Sequence, residues 1–180
     1  ARSSLEVLDK QIDVANKIVT DLMDFTRIKP PSLQRTDLTY LVNESLSYVS
    51  VPEKIKIKSH LNGNSQPVNI DAEQISRVFT NIISNACQSM NGKGALDIDT
   101  GLEDPYIWVS FKDTGCGIPE ENIDKIFEPL FTTKPKGIGL GLAISKRLVE
   151  QNGGDIHVDS RIDRGTTFTI RLPLAGKKGK

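Results

Sequence analysis

A chain of 180 residues fits one compact domain of roughly 150 residues with about 30 left over, which excludes a second full domain. A hydrophobic fraction of 37 % and 14 glycines match ordinary globular composition and exclude a disordered or collagenous chain. The 23 Lys and Arg residues balance 23 Asp and Glu residues, so no net positive field draws nucleic-acid phosphates or anionic lipid.

From the amino terminus, Leu5, Leu8, Ile12, Ala15, Val19 and Leu22 recur at alternating spacings of three and four, and Val14, Ile18 and Phe25 widen the stripe. This predicts one long bundle helix over residues 1–29, which needs other helices to bury its face. Pro30 and Pro31 stop it and open a linker over residues 30–36. A globular domain is expected over 37–175, with a frayed tail at 176–180. Within it, Asp37 opens a short helix to about Val49, Ile55 to Ser59 alternate as a strand, and Asn62-Gly63-Asn64 turns into a strand at Val68 to Ile70. Asp71 and Gln74 form a capping-box pattern before a long helix ending near Met90, with Ile75, Val78, Phe79, Ile82, Ile83 and Ala86 as its core face. Strands follow at Ala95 to Thr100 and Tyr106 to Lys112, then a short acidic helix from Glu120 and a helix from about Gly141 to Gln151. Ile156 to Ser160 and Thr167 to Leu172 close the chain as a hairpin turned through Asp163-Arg164-Gly165. Strands grouped with helices, without strict alternation, give an α+β domain with a mixed sheet and helices on one face.

Cys87 and Cys116 are too few for a disulfide framework and lack partners at metal-ligand spacing, which fits free thiols in a reducing cytoplasm. No apolar run approaches the roughly 20 residues that cross a bilayer, so membrane contact by these residues is not expected, and no signal-peptide pattern opens the chain.

Three features carry chemistry. Asp113-Thr114-Gly115-Cys116-Gly117 follows directly on a strand, so a carboxylate sits at the strand end while the glycines admit a flat ligand close to the backbone; the same pattern also serves as a plain turn. A carboxylate there accepts from an exocyclic amine, which favours adenine over guanine. Gly137-Ile138-Gly139-Leu140-Gly141-Leu142 runs into a helix N-terminus, a natural phosphate cradle that matches neither the Walker A loop nor the dinucleotide fingerprint. Asn81 and Asn85 lie one turn apart at the border of the apolar stripe, where amide oxygens could face a cleft and help hold a divalent ion on phosphates, or simply flank the core.

In order along the chain, Asn81 to Ala86, Asp113 to Gly117, Phe127 to Lys134 and Gly137 to Leu142 resemble the asparagine, first glycine, phenylalanine and second glycine boxes of sensor histidine kinases. The resemblance covers about Asp37 to Pro173 as a catalytic ATP-binding domain and makes residues 1–29 look like the second helix of a dimerisation and phosphoacceptor bundle. It implies the Bergerat fold, a two-layer α/β sandwich, with ATP and Mg²⁺ as ligands. By the same likeness Asn85 is the expected Mg²⁺ ligand, Asn81 lines the phosphates and Asp113 holds the adenine amine beside Gly115 and Gly117. Gly137, Gly139, Leu140, Gly141 and Leu142 cap the phosphates, Lys134 contacts them, and Phe127 and Phe131 anchor a small lid, or serve only as core anchors. Ile138 stands where this subgroup often has Thr, which leaves no hydroxyl for phosphate there.

Hydrolysing members of the fold usually carry a glutamate one turn before the metal-binding Asn. Asn81 occupies that position here, which favours transfer over hydrolysis. The implied activity is γ-phosphoryl transfer to a histidine on a first bundle helix upstream of residue 1, for relay to a response-regulator aspartate, so these residues alone are not expected to phosphorylate themselves. The likeness also implies a homodimer through the bundle and allows a parent chain anchored in a membrane. His60 and His157 read as surface or structural histidines, since neither has a sequence-adjacent carboxylate. Competing readings are an ATP-hydrolysing enzyme of the gyrase or chaperone type, a serine kinase of the anti-sigma type, and a nucleotide-binding regulator without activity.

Overall fold

A computed structural model describes Ile12, Met23 and residues 29–61, 67–134 and 137–175. The expected bundle helix therefore lies almost wholly outside the described residues, as do the turn at Asn62-Gly63-Asn64 and the tail. Ile12 and Met23 are helical and exposed, Ile12 at 57 %.

Chain order runs β1 (Gln34–Thr36), α1 (Leu38–Ser47), β2 (Ile55–His60), β3 (Val68–Ile70), α2 (Ala72–Ser89), β4 (Gly94–Glu103), β5 (Tyr106–Asp113), α3 (Glu120–Ile123), α4 (Gly141–Gln151), β6 (Asp155–Arg161) and β7 (Gly165–Pro173). Five strands form one sheet in the order β2-β4-β5-β7-β6, with β2 parallel to β4 and every other pairing antiparallel. The sheet is mixed, as expected. The strand β1 was not foreseen: three residues of the expected linker pair antiparallel with β3, with Arg35 opposite Asn69. A three-residue strand carries too little alternation to show in sequence.

Strand alternation puts Leu96 and Ile98 of β4, Ile107, Val109 and Phe111 of β5, and Phe168, Ile170 and Leu172 of β7 on one buried face. The apolar stripe of α2 covers that face, with Phe79 tilted against Phe111 at 5.3 Å between ring centroids. Helices α1 and α4 pack on either side of α2 and complete the helical layer. The result is a two-layer sandwich with one core between sheet and helices.

Two caps fix the helix that matters most for the site. Asp71 accepts from the Gln74 amide nitrogen at 3.0 Å, as the sequence pattern predicts. The reciprocal half of the capping box is different: the Asp71 backbone N–H donates to Asn152 Oδ1 at 2.7 Å, not to Gln74. Asn152 is buried at the end of α4, and its Nδ2 donates to both Gln74 Oε1 and Leu148 O at 2.9 Å. One buried amide thus ties the start of α2 to the end of α4, fixing the two helices that flank the candidate site.

Candidate nucleotide-binding site

Along α2, Asn81, Asn85 and Ser89 are spaced by four, so each is rotated only about 40° from the last and the three form a stripe beside the core face. Each meets a different segment. Asn81 Nδ2 donates to Ser145 Oγ of α4 at 2.9 Å, and its Oδ1 lies where a Cβ on Gly141 would stand, 2.7 Å away. Asn85 Oδ1 accepts from Lys134 Nζ at 2.7 Å, and Gln88 Oε1 takes the same ammonium at 2.8 Å. Ser89 Oγ reaches Asp113 Oδ1 at 3.2 Å. The segments marked in sequence thus converge on one helix.

Asp113 ends β5 and is 3 % exposed. Its Oδ1 accepts from Gly115 N at 2.7 Å, from Ser89 Oγ, and from Thr166 N at 3.3 Å. None of these bonds falls on Oδ2, which is left as the oxygen for a ligand. Burial pushes the carboxyl upward, opposed by those three donors and by the charge of Lys134. The floor behind it is the β6–β7 hairpin. Gly165, at φ +91°, lies where any Cβ would collide with the Asp113 carbonyl oxygen, and Gly117, at φ +72°, is pressed likewise against the Arg161 carbonyl. Asp163 N donates to Cys116 O at 2.8 Å, so the hairpin turn and the glycine loop close on each other.

The lid side is pinned at its base, where Leu130 N donates to Gly139 O at 3.0 Å. Phe127 and Phe131 are half-buried against the core, and the Lys146 ammonium sits 5.4 Å from the Phe127 centroid. Leu140 is 2 % exposed and Leu142 packs against the core, so neither side chain turns toward a ligand; what they offer is backbone N–H at the start of α4. That helix has no side-chain cap at its N-terminus, where unpaired N–H groups and the dipole favour an anion. Gly137 N donates to Lys134 O at 3.1 Å.

Sequence reasoning missed Ser89, Gln88, Ser145, Thr166 and Gly165. The first follows from continuing the spacing of four beyond Asn85; the last two come into range only through the sheet, since Thr166 lies 53 residues from Asp113.

His60 is exposed at the end of β2. His157 has a carboxylate partner after all, Asp155 on the same strand face at 2.6 Å, with Arg171 bridging both. This cluster lies on the open face of the sheet, across it from α2, as does a shallow hollow lined by Trp108, Ser110, Thr169 and Arg171.

Among the described residues no cluster of three or more His, Cys, Asp or Glu could hold a metal. The Asn85 amide oxygen is an acceptor that a divalent ion could use, and it already holds one cation, the Lys134 ammonium. The ion's remaining oxygens would come from phosphates and water, the arrangement Mg²⁺ prefers. Among the described residues no helix is long and apolar enough to cross a membrane.

Comparison with known proteins agrees with this fold. A family profile described as histidine kinase-, DNA gyrase B- and HSP90-like ATPase matches residues 70–176. The chain is 38 % identical over 174 residues to the signal transduction histidine-protein kinase AtoS of Escherichia coli K12, covering 94 % of this chain and 29 % of that one. It superposes on full-length ShkA in complex with AMPPNP with a TM-score of 0.86 and 26 % identity, covering 98 % of this chain and 39 % of ShkA. The fold also matches ThkA in complex with the response regulator protein TrrA, at TM-score 0.78 and 24 % identity over 94 % of this chain and 50 % of that one. The chain thus spans less than a third of the length of AtoS. With the profile covering more than half of its residues, the chain belongs to the histidine kinase-, DNA gyrase B- and HSP90-like ATPase family.

Proposed function

We propose that this chain is the ATP-binding catalytic region of a two-component sensor histidine kinase and passes the γ-phosphoryl group of ATP to a histidine outside these residues. The observation that carries the reading is the stripe on α2, where three side chains four residues apart each hold one of the segments expected around a nucleotide. Asp113 Oδ2 accepts the adenine amine. The start of α4 receives phosphate through backbone N–H groups. Asn85 and Lys134 lie together; Asn85 would hold a Mg²⁺ ion on the phosphates, and that ion would supply charge neutralisation for transfer.

Transfer breaks the bond between the γ-phosphorus and its bridging oxygen, releasing ADP, and forms a phosphorus–nitrogen bond on the acceptor imidazole, which gives up its proton to solvent or a base outside these residues. The protein's share is placement and electrostatics. Asn81 supports transfer over hydrolysis, because a neutral amide tied to Ser145 cannot take a proton from water as a carboxylate does. Neither His60 nor His157 lies beside this site, so the acceptor comes from elsewhere, and the exposed Ile12 fits a bundle seam awaiting other helices. A homodimer through that bundle and a response-regulator receiver as the final acceptor complete the proposal.

The test is a titration of the chain with ATP, with ATP without metal, and with GTP, followed by incubation with labelled ATP alone and with a separate acceptor-bearing bundle. Expected are Mg²⁺-dependent preference for ATP, no label on the chain alone and label on the bundle. Steady phosphate release with no labelled bundle would point to hydrolysis instead.

A further inference from the structure

Ser145 is 2 % exposed and lies in the buried stripe of α4 with Ala143, Ile144, Leu148 and Val149, an apolar setting in which a hydroxyl needs partners. Its Oγ donates to Gly141 O, one turn back, at 2.9 Å. That bond is open to any serine inside a helix and asks for no special role. The same oxygen also reaches out of its own helix, accepting from Asn81 Nδ2 of α2 at 2.9 Å.

Together the two bonds fix which way the Asn81 amide faces. With the hydroxyl proton spent on Gly141 O, Ser145 offers Asn81 lone pairs, so the NH₂ end turns to Ser145 and Oδ1 turns to the start of α4. In that orientation Oδ1 lies 2.7 Å and Nδ2 3.2 Å from where a Gly141 Cβ would stand. Turned over, the amide would set its oxygen against Ser145, and the hydroxyl would have to leave Gly141 O to meet it. We propose that Ser145 is a positioning residue: by taking the donor end of the Asn81 amide, it makes Asn81 meet the phosphate end of the cleft as an acceptor. An amide oxygen there repels phosphate oxygens and attracts donors and cations, so Asn81 favours the hydrated metal complex of ATP over the bare nucleotide. The inference rests on the Mg²⁺-ATP reading above.

The experiment is calorimetric titration of the chain with Mg²⁺-ATP, with ATP and a chelator, and with adenosine, in unaltered form and as Ser145→Ala, Ser145→Cys, Asn81→Ala and the Ser145→Ala/Asn81→Ala double variant. Melting curves check that each variant folds. Ser145→Cys, close to serine in shape but a weak acceptor, carries the test if Ser145→Ala does not fold. Ser145→Ala should weaken Mg²⁺-ATP about fivefold, the worth of one ordinary hydrogen bond, while metal-free ATP changes by less than about twofold and adenosine stays constant. Ser145→Cys should weaken Mg²⁺-ATP in the same direction, and Ser145→Ala should add nothing once Asn81 is Ala. Without nucleotide, the Asn81 side-chain amide resonances should move in Ser145→Ala toward those of a solvated asparagine. Unchanged Mg²⁺-ATP affinity in the serine variants, a loss shared equally by adenosine, or an equal loss with and without Asn81 overturns the role of Ser145 and leaves the ATP reading standing. An unaltered chain that binds no Mg²⁺-ATP overturns both.

Discussion

Replacing Asp113 by Asn tests the base pocket while changing little else. The side chain is nearly isosteric, and its carbonyl oxygen can still accept from Gly115 N, Ser89 Oγ and Thr166 N, the three donors on Oδ1. What changes is the other end, where Oδ2 becomes an NH₂ group facing the base amine, donor against donor. Losing one hydrogen bond to a charged acceptor costs about 1.5–3 kcal/mol, so ATP affinity should fall about 10- to 150-fold. GTP, with a carbonyl at the corresponding position, should lose less, and the ATP-to-GTP ratio should shrink accordingly. Stability should move the opposite way. The folded carboxyl is raised above its ordinary 3.8 by burial, so the folded chain holds that proton more tightly than the unfolded one. Stability is then full below 3.8 and declines as pH rises from there through the raised folded value. An amide does not ionise, so Asp113→Asn should melt higher than the unaltered chain at pH 7.5, with the gap closing toward pH 4. Calorimetry with both nucleotides and melting curves across pH read both effects. Equal losses for ATP and GTP would refute the role of Oδ2, and a lower melting temperature at neutral pH would refute the burial argument.

Other substitutions probe the remaining parts. Asn85→Ala should abolish the gain in ATP affinity on adding Mg²⁺ and leave adenosine binding intact, as read by titration with and without a chelator. Gly165→Ala forces a Cβ into the Asp113 carbonyl at a left-handed φ, so it should cost about 1–3 kcal/mol in urea unfolding and weaken ATP as the pocket floor shifts. Phe79→Ala empties a fully buried site against Phe111 and should cost about 3–5 kcal/mol, a large share of a typical domain's stability, in the same assay. Asp71→Ala removes the α2 cap and the acceptor for Ser32 N, and should cost about 1 kcal/mol.

What the sequence made legible follows the range of each interaction. Helices α2 and α4 and the hairpin of β6 and β7 were foreseen because periodicity and turn residues are local signals. Asn81, Asn85 and Asp113 were singled out through motif order, and the structure brings the first two onto one stripe of α2 and Asp113 against Ser89 of the same helix. The parts Thr166 and Gly165 play at Asp113 were hidden because they depend on β7 lying beside β5, a pairing no local pattern encodes; Gly165 showed in sequence only as a turn residue. Leu140 and Leu142 stand inside the glycine-rich motif yet belong to the core, because the first turn of α4 must bury its apolar face to hold the glycines in place. The cap of α2 shows the same limit: Gln74 carried the right spacing, but Asn152, 81 residues from Asp71, made the bond.

The two ends of the site are built from different stuff. Asp113 leans on β7 through Thr166, so the base end yields only when the middle of the sheet unzips, an event close to global unfolding. Lys134 is itself exposed, and its ammonium can leave the half-buried Asn85 and the exposed Gln88 while everything beneath it stays folded. Amide exchange should accordingly be slow for the Thr166 nitrogen and fast for the Lys134 nitrogen; on the proposed function, the adenine would stay fixed while the phosphate end loosens.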